Sequence, residues 1–194
     1  YVKINRNGKY ALKFAEGEDD ALVSVRPATE KDHVVLVSAK GNACRFKPAE
    51  VRSRIDPATG EEQHTHLVRV QGRVSQGVSG MKLEKGDWVI GMIVTDDFDT
   101  SVLTISKRGM AKRSRLGSGG MIPVTDPETG NKVFDEEGNE MHERDGYRRT
   151  NRGTKGVKTM SLDDDDEIVA VRQIPDLDDQ LFMLTGTGMM IRMV

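Results

Sequence analysis

Three segments of this 194-residue chain follow one pattern. In each, a glycine is followed six positions later by a large apolar residue, and an acidic residue then precedes a short apolar run. Each segment closes with a glycine, three residues and an arginine. The segments begin at Gly8, Gly77 and Gly156, and their arginines are Arg45, Arg113 and Arg192. Internal repetition of this kind is typical of architectures in which like units pack side by side.

The apolar residues inside each repeat alternate with a period near two. The runs "ALVSV", "VVLVS", "WVIGMIV", "VLTIS", "IVAVR" and "LFMLT" are β-branched and bounded by Asp, Gly or Pro, and no window shows a helical stripe. A small residue recurs in the first run of each repeat, at Ser24, Gly91 and Ala170. The sequence therefore predicts an all-β, propeller-like fold with four-stranded blades, of which this segment holds about three.

The repeats predict the domain organisation. Blades are expected at 1–54, 73–116 and 147–194, with an inter-blade loop at 55–72 and an acidic inter-blade insertion at 117–146. Both connections contain a D-P-x-T-G turn and are weakly apolar, as exposed excursions are. The stretch "NKVFDEEGNEMHE" predicts a small hairpin around "EEGN".

The net charge of −2 gives no overall positive field, so a nucleic-acid surface would depend on where the basic residues cluster. Arginines and lysines recur at strand ends and turns of the repeat, whereas acid is concentrated in the two connections and at Asp163–Glu167. Equivalent positions of successive blades lie along one rim, so these residues predict a positive stripe that contacts phosphates without reading bases. The alternative is that they are ordinary solubilising charges on a protein-interaction module, which would show an exposed apolar patch.

Other sites are disfavoured by their context. "RGTKG" is followed by a strand, unlike a Walker-type nucleotide loop, and Asp163–Glu167 occupies a turn that the other repeats also have. His64 and His66 have no further zinc ligand at useful spacing, and no metal or cofactor site is expected. The lone Cys44 predicts a buried thiol in a reducing compartment. No apolar run is long enough for a membrane span, and no signal peptide is recognised. Because the sequence begins with Tyr1 and not with methionine, we expect it to be a piece of a longer polypeptide.

The repeats also carry a resemblance. "GVSGMKLEKGDWVIGMIV…VLTISKRGMAKRS" and "GYRRTNRGTKGVKTMSL…IVAVRQI…LFMLTGTGMMIRM" resemble the carboxy-terminal domain of the DNA gyrase A subunit, and the first repeat looks like a middle blade of that domain. The equivalent domain of topoisomerase IV has similar repeats, so the resemblance leaves both families as alternatives. The "QRRGGKG" box of gyrase is absent, as is the catalytic tyrosine of the strand-passing domain, so Tyr147 is interpreted as a blade tyrosine.

The resemblance implies a β-pinwheel whose blades exchange strands and whose basic rim wraps double-stranded DNA. It implies a non-catalytic segment of an ATP-dependent type IIA topoisomerase that introduces negative supercoils, with ATP and Mg²⁺ used by other parts. The implied partners are DNA, the remainder of the gyrase A subunit, and the ATPase subunit of the heterotetramer, in the bacterial cytoplasm at the nucleoid, with no membrane. By matching positions, the resemblance implies that the DNA-contacting residues of the rim are Arg45, Lys47, Lys112, Arg113, Arg148, Arg149, Arg152, Lys155 and Arg192.

Overall fold

All thirteen secondary-structure elements of the described residues are β-strands. The computed structural model describes residues 8, 10–14, 16, 20–72, 75–176 and 178–193. The predicted all-β class is confirmed, and no described element is a helix able to cross a membrane. The strands are β1 (His33–Ser38), β2 (Asn42–Phe46), β3 (Val51–Ile55), β4 (Glu62–His66), β5 (Val89–Thr95), β6 (Ser101–Ser106), β7 (Ala111–Arg115), β8 (Met121–Pro123), β9 (His142–Arg144), β10 (Val157–Lys158), β11 (Ile168–Ile174), β12 (Leu181–Leu184) and β13 (Met190–Met193).

Blade one is assembled from all three repeats. Its sheet has the order β10-β2-β1-β5, and every neighbouring pair is antiparallel. The hairpin β1–β2 comes from the first repeat, the inner strand β5 from the second and the outer strand β10 from the third. The hairpin of blade one therefore receives both of its flanking strands from later repeats, which is the strand exchange of a pinwheel.

Blades two and three contain fewer strands in the described residues. Blade two has the order β11-β6-β7, with its inner strand again supplied by the next repeat, and blade three is the hairpin β12–β13. Blade one has the predicted four strands, and the described residues supply three strands of blade two and two of blade three. The physical reason is the exchange itself, because a hairpin late in the chain has no later described repeat from which to take strands.

The inner strands converge on a common centre. Residues 23–26, 90–92 and 169–172 line one cavity of about 400 Å³. The small residues Ser24, Gly91 and Ala170 lie at this convergence, and a side chain added at Gly91 would meet Val171 at 2.8 Å. The segment "ALVSV" is expected to be a strand, yet residues 21–27 form none, because no described hairpin lies beside them.

The core lies between blades. Alternation along β1 sends Val35 and Val37 towards blade two, where they pack with residues that include Val102, Ile168 and Val171. The other face of blade one buries Val34, Cys44, Phe46 and Met81. Cys44 is a free, buried thiol, as the sequence predicts.

Residues 145–160, here called the strap, fasten blade one from outside. The backbone N–H of Thr150 donates to the Arg45 carbonyl, and that of Thr159 donates to the Gly41 carbonyl at 2.9 Å. Between them β10 pairs with β2, Val157 opposite Ala43. Gly156 has φ 82° and lies so close to β2 that a Cβ there would be 2.1 Å from the Ala43 carbonyl oxygen.

The two acidic connections form exposed β-hairpins. In the first, β3 pairs with β4 around an Asp56–Gly60 turn. In the second, β8 pairs with β9, and a further hairpin turns at Asp135–Gly138 between the bridged residues Phe134 and Glu140, where "EEGN" predicts it. Both D-P-x-T-G turns end on a glycine with positive φ, so the shared motif specifies the same turn twice.

Candidate nucleic-acid interface

A basic groove runs between the strap and the free edge of blade two. It has a volume of about 560 Å³, and its lining contains five basic side chains and no acidic one. The lining residues are Lys112, Ser114, Arg115, Arg144, Gly146, Tyr147, Arg148, Val157, Lys158 and Thr159. Lys112 and Ser114 share one face of β7 and line the groove, and Arg115 joins them at the end of that strand.

Most of the groove's cations are held by backbone oxygens. The Lys112 ammonium donates to the Thr159 carbonyl at 2.8 Å, the Arg144 guanidinium to the Gly119 carbonyl at 3.0 Å, and the Lys158 ammonium to the Lys40 carbonyl at 2.9 Å. These contacts orient the side chains without neutralising them. Arg115 is different, since it forms an ion pair with Asp99 at 3.0 Å and lies 3.6 Å from Asp145.

Tyr147 forms the floor of the groove. Its side chain is buried, its hydroxyl contacts the Thr159 hydroxyl, and burial raises its pKa. The phenol is therefore neutral and bonded within the protein, which agrees with its interpretation as a blade tyrosine. Arg148 is the next residue in the chain and is exposed. The buried ring of Tyr147 therefore fixes the backbone from which Arg148 projects into the groove.

Arg45 does not lie on the surface. Its side chain is fully buried, and its Nη1 donates to the carbonyls of Leu116 and Tyr147 at 2.8 and 2.9 Å. The predicted DNA contact of Arg45 is therefore corrected, because a side chain enclosed by the blade junction has no path to a phosphate. Its pKa is lowered to about 10, first by burial and then by Arg149, so it remains charged at neutral pH.

His33 shares this buried site. Its Nδ1 accepts the Arg45 Nε–H at 3.2 Å, and the Phe98 ring packs against both side chains, 5.0 Å from the Arg45 guanidinium carbon. Burial lowers the pKa of His33 to about 4, and Arg45, Arg149 and Lys47 act in the same direction. The imidazole is thus neutral, as an acceptor from arginine must be.

Lys47 and Arg149 lie near this junction but remain accessible. Lys47 is half-buried and Arg149 is exposed. The charges of both lower the pKa of His33. Lys112 and Arg148 are brought together in the groove.

Arg152 and Lys155 lie on the strap but outside the groove, and Arg113 and Arg192 lie on β7 and on blade three. Arg113 is exposed on the face of β7 opposite to Lys112. Arg152 donates to the carbonyls of Leu67 and Ser79, and Lys155 pairs with Glu84. The Arg192 guanidinium lies 5.6 Å from the Phe182 ring centre and contacts Gln180 on blade three.

Three groove cations are missing from the predicted set, namely Arg115, Arg144 and Lys158. Two of them carry a recognisable signal, since Arg115 follows Arg113 at the alternate position of β7 and Lys158 follows Gly156 in the repeat. Arg144 has none, because it ends the acidic insertion and is brought back only by the β8–β9 pairing.

The arrangement suits a polyanion. Five cations converge on one open groove, while the insertion at residues 119–143 carries seven acidic residues against one lysine, which explains the small net charge. A groove walled by strand edges and turns can neutralise phosphates but cannot enter a major groove as a helix does. Within the described residues no three potential metal ligands cluster.

Comparison with known proteins agrees with this architecture. A family model described as the DNA gyrase C-terminal domain, a β-propeller, matches residues 32–54, 64–96, 100–118 and 144–175. The unmatched residues include 55–63 and 119–143, the tip of the first acidic hairpin and nearly all of the second. Blades one and two therefore follow the family pattern, whereas the blade-three hairpin and most of the second acidic hairpin lie outside the match.

Individual relatives point the same way. The chain is 28% identical over 195 residues to the DNA gyrase A subunit of Staphylococcus epidermidis and 29% identical over 211 residues to that of Rickettsia prowazekii. These matches cover 100% and 99% of this chain but only 16% and 21% of those proteins. In fold, a crystal structure of the C-terminal domain of DNA topoisomerase IV matches with a TM-score of 0.64 and 17% identity, covering 94% of this chain and 42% of that one. The chain belongs to the DNA gyrase C-terminal domain family of β-propellers.

Proposed function

We propose that this chain binds duplex DNA without sequence preference and bends it around the basic side of the blades. The observation that carries the proposal is the groove beside the strap, where Lys112, Arg115, Arg144, Arg148 and Lys158 converge with no acidic lining residue. The relatives, which are named as the A subunit of DNA gyrase, support the same conclusion. Lys47 and Arg149 extend the positive surface beyond the groove.

The physical role of the groove is to offset the cost of bending. Bending a 20–30 bp duplex by 40–90° costs roughly 1–6 kcal/mol. Each phosphate neutralised by a lysine or arginine releases counterions, so several contacts together exceed this cost at moderate salt. Because the blades hold the cations on a packed β-scaffold, the protein imposes its curvature on the DNA.

The wider function follows from the family. We propose that the chain is a non-catalytic part of the A subunit of a bacterial type IIA topoisomerase, DNA gyrase, and acts in the cytoplasm at the nucleoid. Wrapping would present a crossing of defined sign to the strand-passing core, so that the holoenzyme introduces negative supercoils. ATP and Mg²⁺ would be used by the other parts of that heterotetramer, and this chain would contact the remainder of its own polypeptide there.

The test is a salt series of DNA binding by the 194-residue chain. Filter binding to a duplex of about 150 bp is measured from 50 to 300 mM KCl, with Arg148→Ala and Lys112→Ala beside the unchanged protein. Each substitution is expected to reduce the slope of log affinity against log salt by about one unit, because one phosphate contact is lost. A 30-bp duplex is expected to bind more weakly, since a short duplex cannot follow the curved surface.

Lys132→Ala is the matched control. Lys132 is also a surface lysine, but it lies on the acidic hairpin and pairs with Glu140 at 3.0 Å. Its substitution is expected to leave the slope unchanged. If the Arg148→Ala and Lys112→Ala slopes equal that of the unchanged protein, the groove does not hold DNA. The alternative of a protein-interaction module would then be the better interpretation.

A further inference from the structure

The second acidic hairpin, residues 119–143, is attached closely beside the basic groove. Its base is closed by two backbone hydrogen bonds: the Gly119 N–H donates to the Asp145 carbonyl at 2.8 Å, and the Asp145 N–H donates to the Gly120 carbonyl at 3.0 Å. A Cβ at Gly119 would lie 2.6 Å from the Tyr147 carbonyl oxygen, so the two backbones are in direct contact. The hairpin therefore has a fixed place relative to Tyr147, the floor of the groove.

Arg144 belongs to both surfaces. Its backbone ends β9 of the hairpin, opposite Met121, while its side chain lines the groove and donates to the Gly119 carbonyl at 3.0 Å. Glu143 precedes it directly in the same strand and is exposed. The positive lining of the groove therefore ends where the acidic hairpin begins.

The negative charge of the hairpin is mostly not neutralised by the protein. The hairpin has seven acidic residues against one lysine, and within the residues that the structure describes only Glu140 pairs with a lysine or arginine, 3.0 Å from Lys132. Hydrogen bonds from backbone N–H groups of the two turns lower the pKa values of Asp126 and Asp135. Both carboxylates are therefore ionised at neutral pH.

A bound duplex reaches past the groove. The groove's volume of about 560 Å³ falls within the range of small-ligand sites, roughly 300–1,000 Å³. A duplex is far larger, so it covers the groove and continues beyond the lining residues. Exposed charges act over about 10 Å at 0.1 M salt and about 30 Å at 0.01 M. Phosphates that pass Arg144 therefore approach the carboxylates of the hairpin within this range, and like charges repel.

We propose that the second acidic hairpin is an electrostatic barrier to DNA at the Arg144 side of the groove. It confines a bound duplex to the groove and the strap, and it lowers the affinity of this surface for long duplexes. The inference rests on the proposed function, since only a chain that binds DNA has a duplex to confine. The family model matches residues 100–118 and 144–175 on either side of the hairpin, so the barrier lies outside the matched pattern.

The test neutralises the hairpin without disturbing its turns. Glutamine replaces four exposed glutamates and leaves the turn aspartates in place; the replaced residues are Glu128, Glu136, Glu137 and Glu143. Filter binding of this variant to a 150-bp duplex at 50 mM KCl is expected to be at least about fivefold tighter than that of the unchanged protein, because four repulsive charges are removed. At 300 mM KCl the gain is expected to fall below about twofold, because salt screens the repulsion.

The matched control changes the net charge equally but elsewhere. It combines four substitutions at exposed positions outside the groove lining and the second acidic hairpin, namely Glu61→Gln, Glu62→Gln, Asp178→Asn and Asp179→Asn. Its gain at 50 mM KCl is expected to stay below about twofold. Equal gains in the two variants, or no gain in the hairpin variant, would overturn the barrier. The proposed function would still stand if Arg148→Ala reduces the salt slope, and both would fall if it does not.

A second measurement locates the duplex relative to the hairpin. An iron chelate that cleaves nearby DNA is attached through Asn131→Cys, at an exposed position of the hairpin, while the buried Cys44 takes no label. At equal DNA occupancy, cleavage is expected to be at least about threefold stronger when the four glutamates are also replaced, because the duplex can then approach the hairpin. Equal cleavage with and without the glutamates would show that the duplex is not confined and would overturn the proposal.

Discussion

Arg45 shows how one residue type serves two purposes at equivalent positions of a repeat. Arg45, Arg113 and Arg192 occupy the same register of their hairpins, yet the first is fully buried and the other two are exposed. The difference arises because the strap and the end of β7 enclose Arg45. Repeat position determines which way the side chain points, and the neighbouring segment determines whether it meets water.

The first expected outcome concerns the free energy of unfolding. Arg45→Ala should destabilise the chain by about 3 kcal/mol or more, because it leaves two buried carbonyls without a donor and opens a cavity. Arg113→Ala, at the equivalent but exposed position, should change the free energy by no more than about 0.5 kcal/mol. Urea unfolding of both variants measures the difference, and equal effects would contradict the buried role of Arg45.

The second concerns pH and His33. Its pKa falls from 6.5 to about 4 on folding, so between these values the unfolded chain binds a proton that the folded chain does not. Stability should therefore decrease as the pH falls from 6.5 towards 4, with a contribution of about 3 kcal/mol from this residue at full protonation of the unfolded state.

His33→Gln removes that titration while keeping an acceptor. The stability difference between the unchanged protein and this variant is expected to shrink as the pH is lowered from 7 to 4.5 in a urea-unfolding series. The acidic residues contribute equally to both proteins and cancel in the comparison. A difference independent of pH would show that His33 is protonated in the folded state.

The strap is the element that links packing to the proposed DNA surface. It carries Arg148 and Lys158 in the groove, provides the carbonyl of Tyr147 to Arg45, and supplies the outer strand of blade one. Its close approach at Gly156 has no room for a Cβ. The opening stretch of the third repeat therefore combines a structural and a binding role.

Gly156→Ala tests this element. The substitution should detach the strap from β2, because the Cβ would lie 2.1 Å from the Ala43 carbonyl oxygen. Gly130→Ala is the matched control, since Gly130 also has positive φ but lies in open space on the acidic hairpin. Gly130→Ala should cost about 1–2 kcal/mol from the left-handed backbone alone.

Amide hydrogen exchange locates the effect. In Gly156→Ala, the Thr159 and Thr150 amides, which donate to Gly41 and Arg45, should exchange faster than in Gly130→Ala. A strap whose protection matches that of the control would mean that the close approach is not what holds it in place.

Much of the element pattern could be predicted from the sequence. The repeat register identified the hairpins, the acid-to-strand junctions and the "EEGN" turn, because each depends on residues near one another in the chain. The outer strand of blade one and the burial of Arg45 could not be predicted, since they depend on residues from two repeats later. Arg144 was missed for a different reason, because its place in the groove depends on the β8–β9 pairing inside the acidic insertion.

At the scale of the whole molecule, charge is separated rather than absent. The groove side is positive, whereas the hairpin at residues 119–143, which the family model does not match, is strongly acidic. The two surfaces are adjacent, because Arg144 follows the acidic hairpin directly and also lines the groove. A net charge of −2 therefore hides a strongly polarised surface. A basic rim is predicted from spacing and stays a prediction, whereas the groove beside the strap becomes visible only through the three-dimensional pairing.

The exchange of strands also delays the completion of blade one during synthesis. In blade one, Ala43 of β2 pairs with Val157 of β10, which is synthesised more than 100 residues later. At about 5–20 residues per second, a ribosome needs on the order of ten seconds to deliver that partner. During this interval the first hairpin has an open side and Arg45 has no carbonyls to receive it. The nascent chain must therefore remain unaggregated until the third repeat emerges.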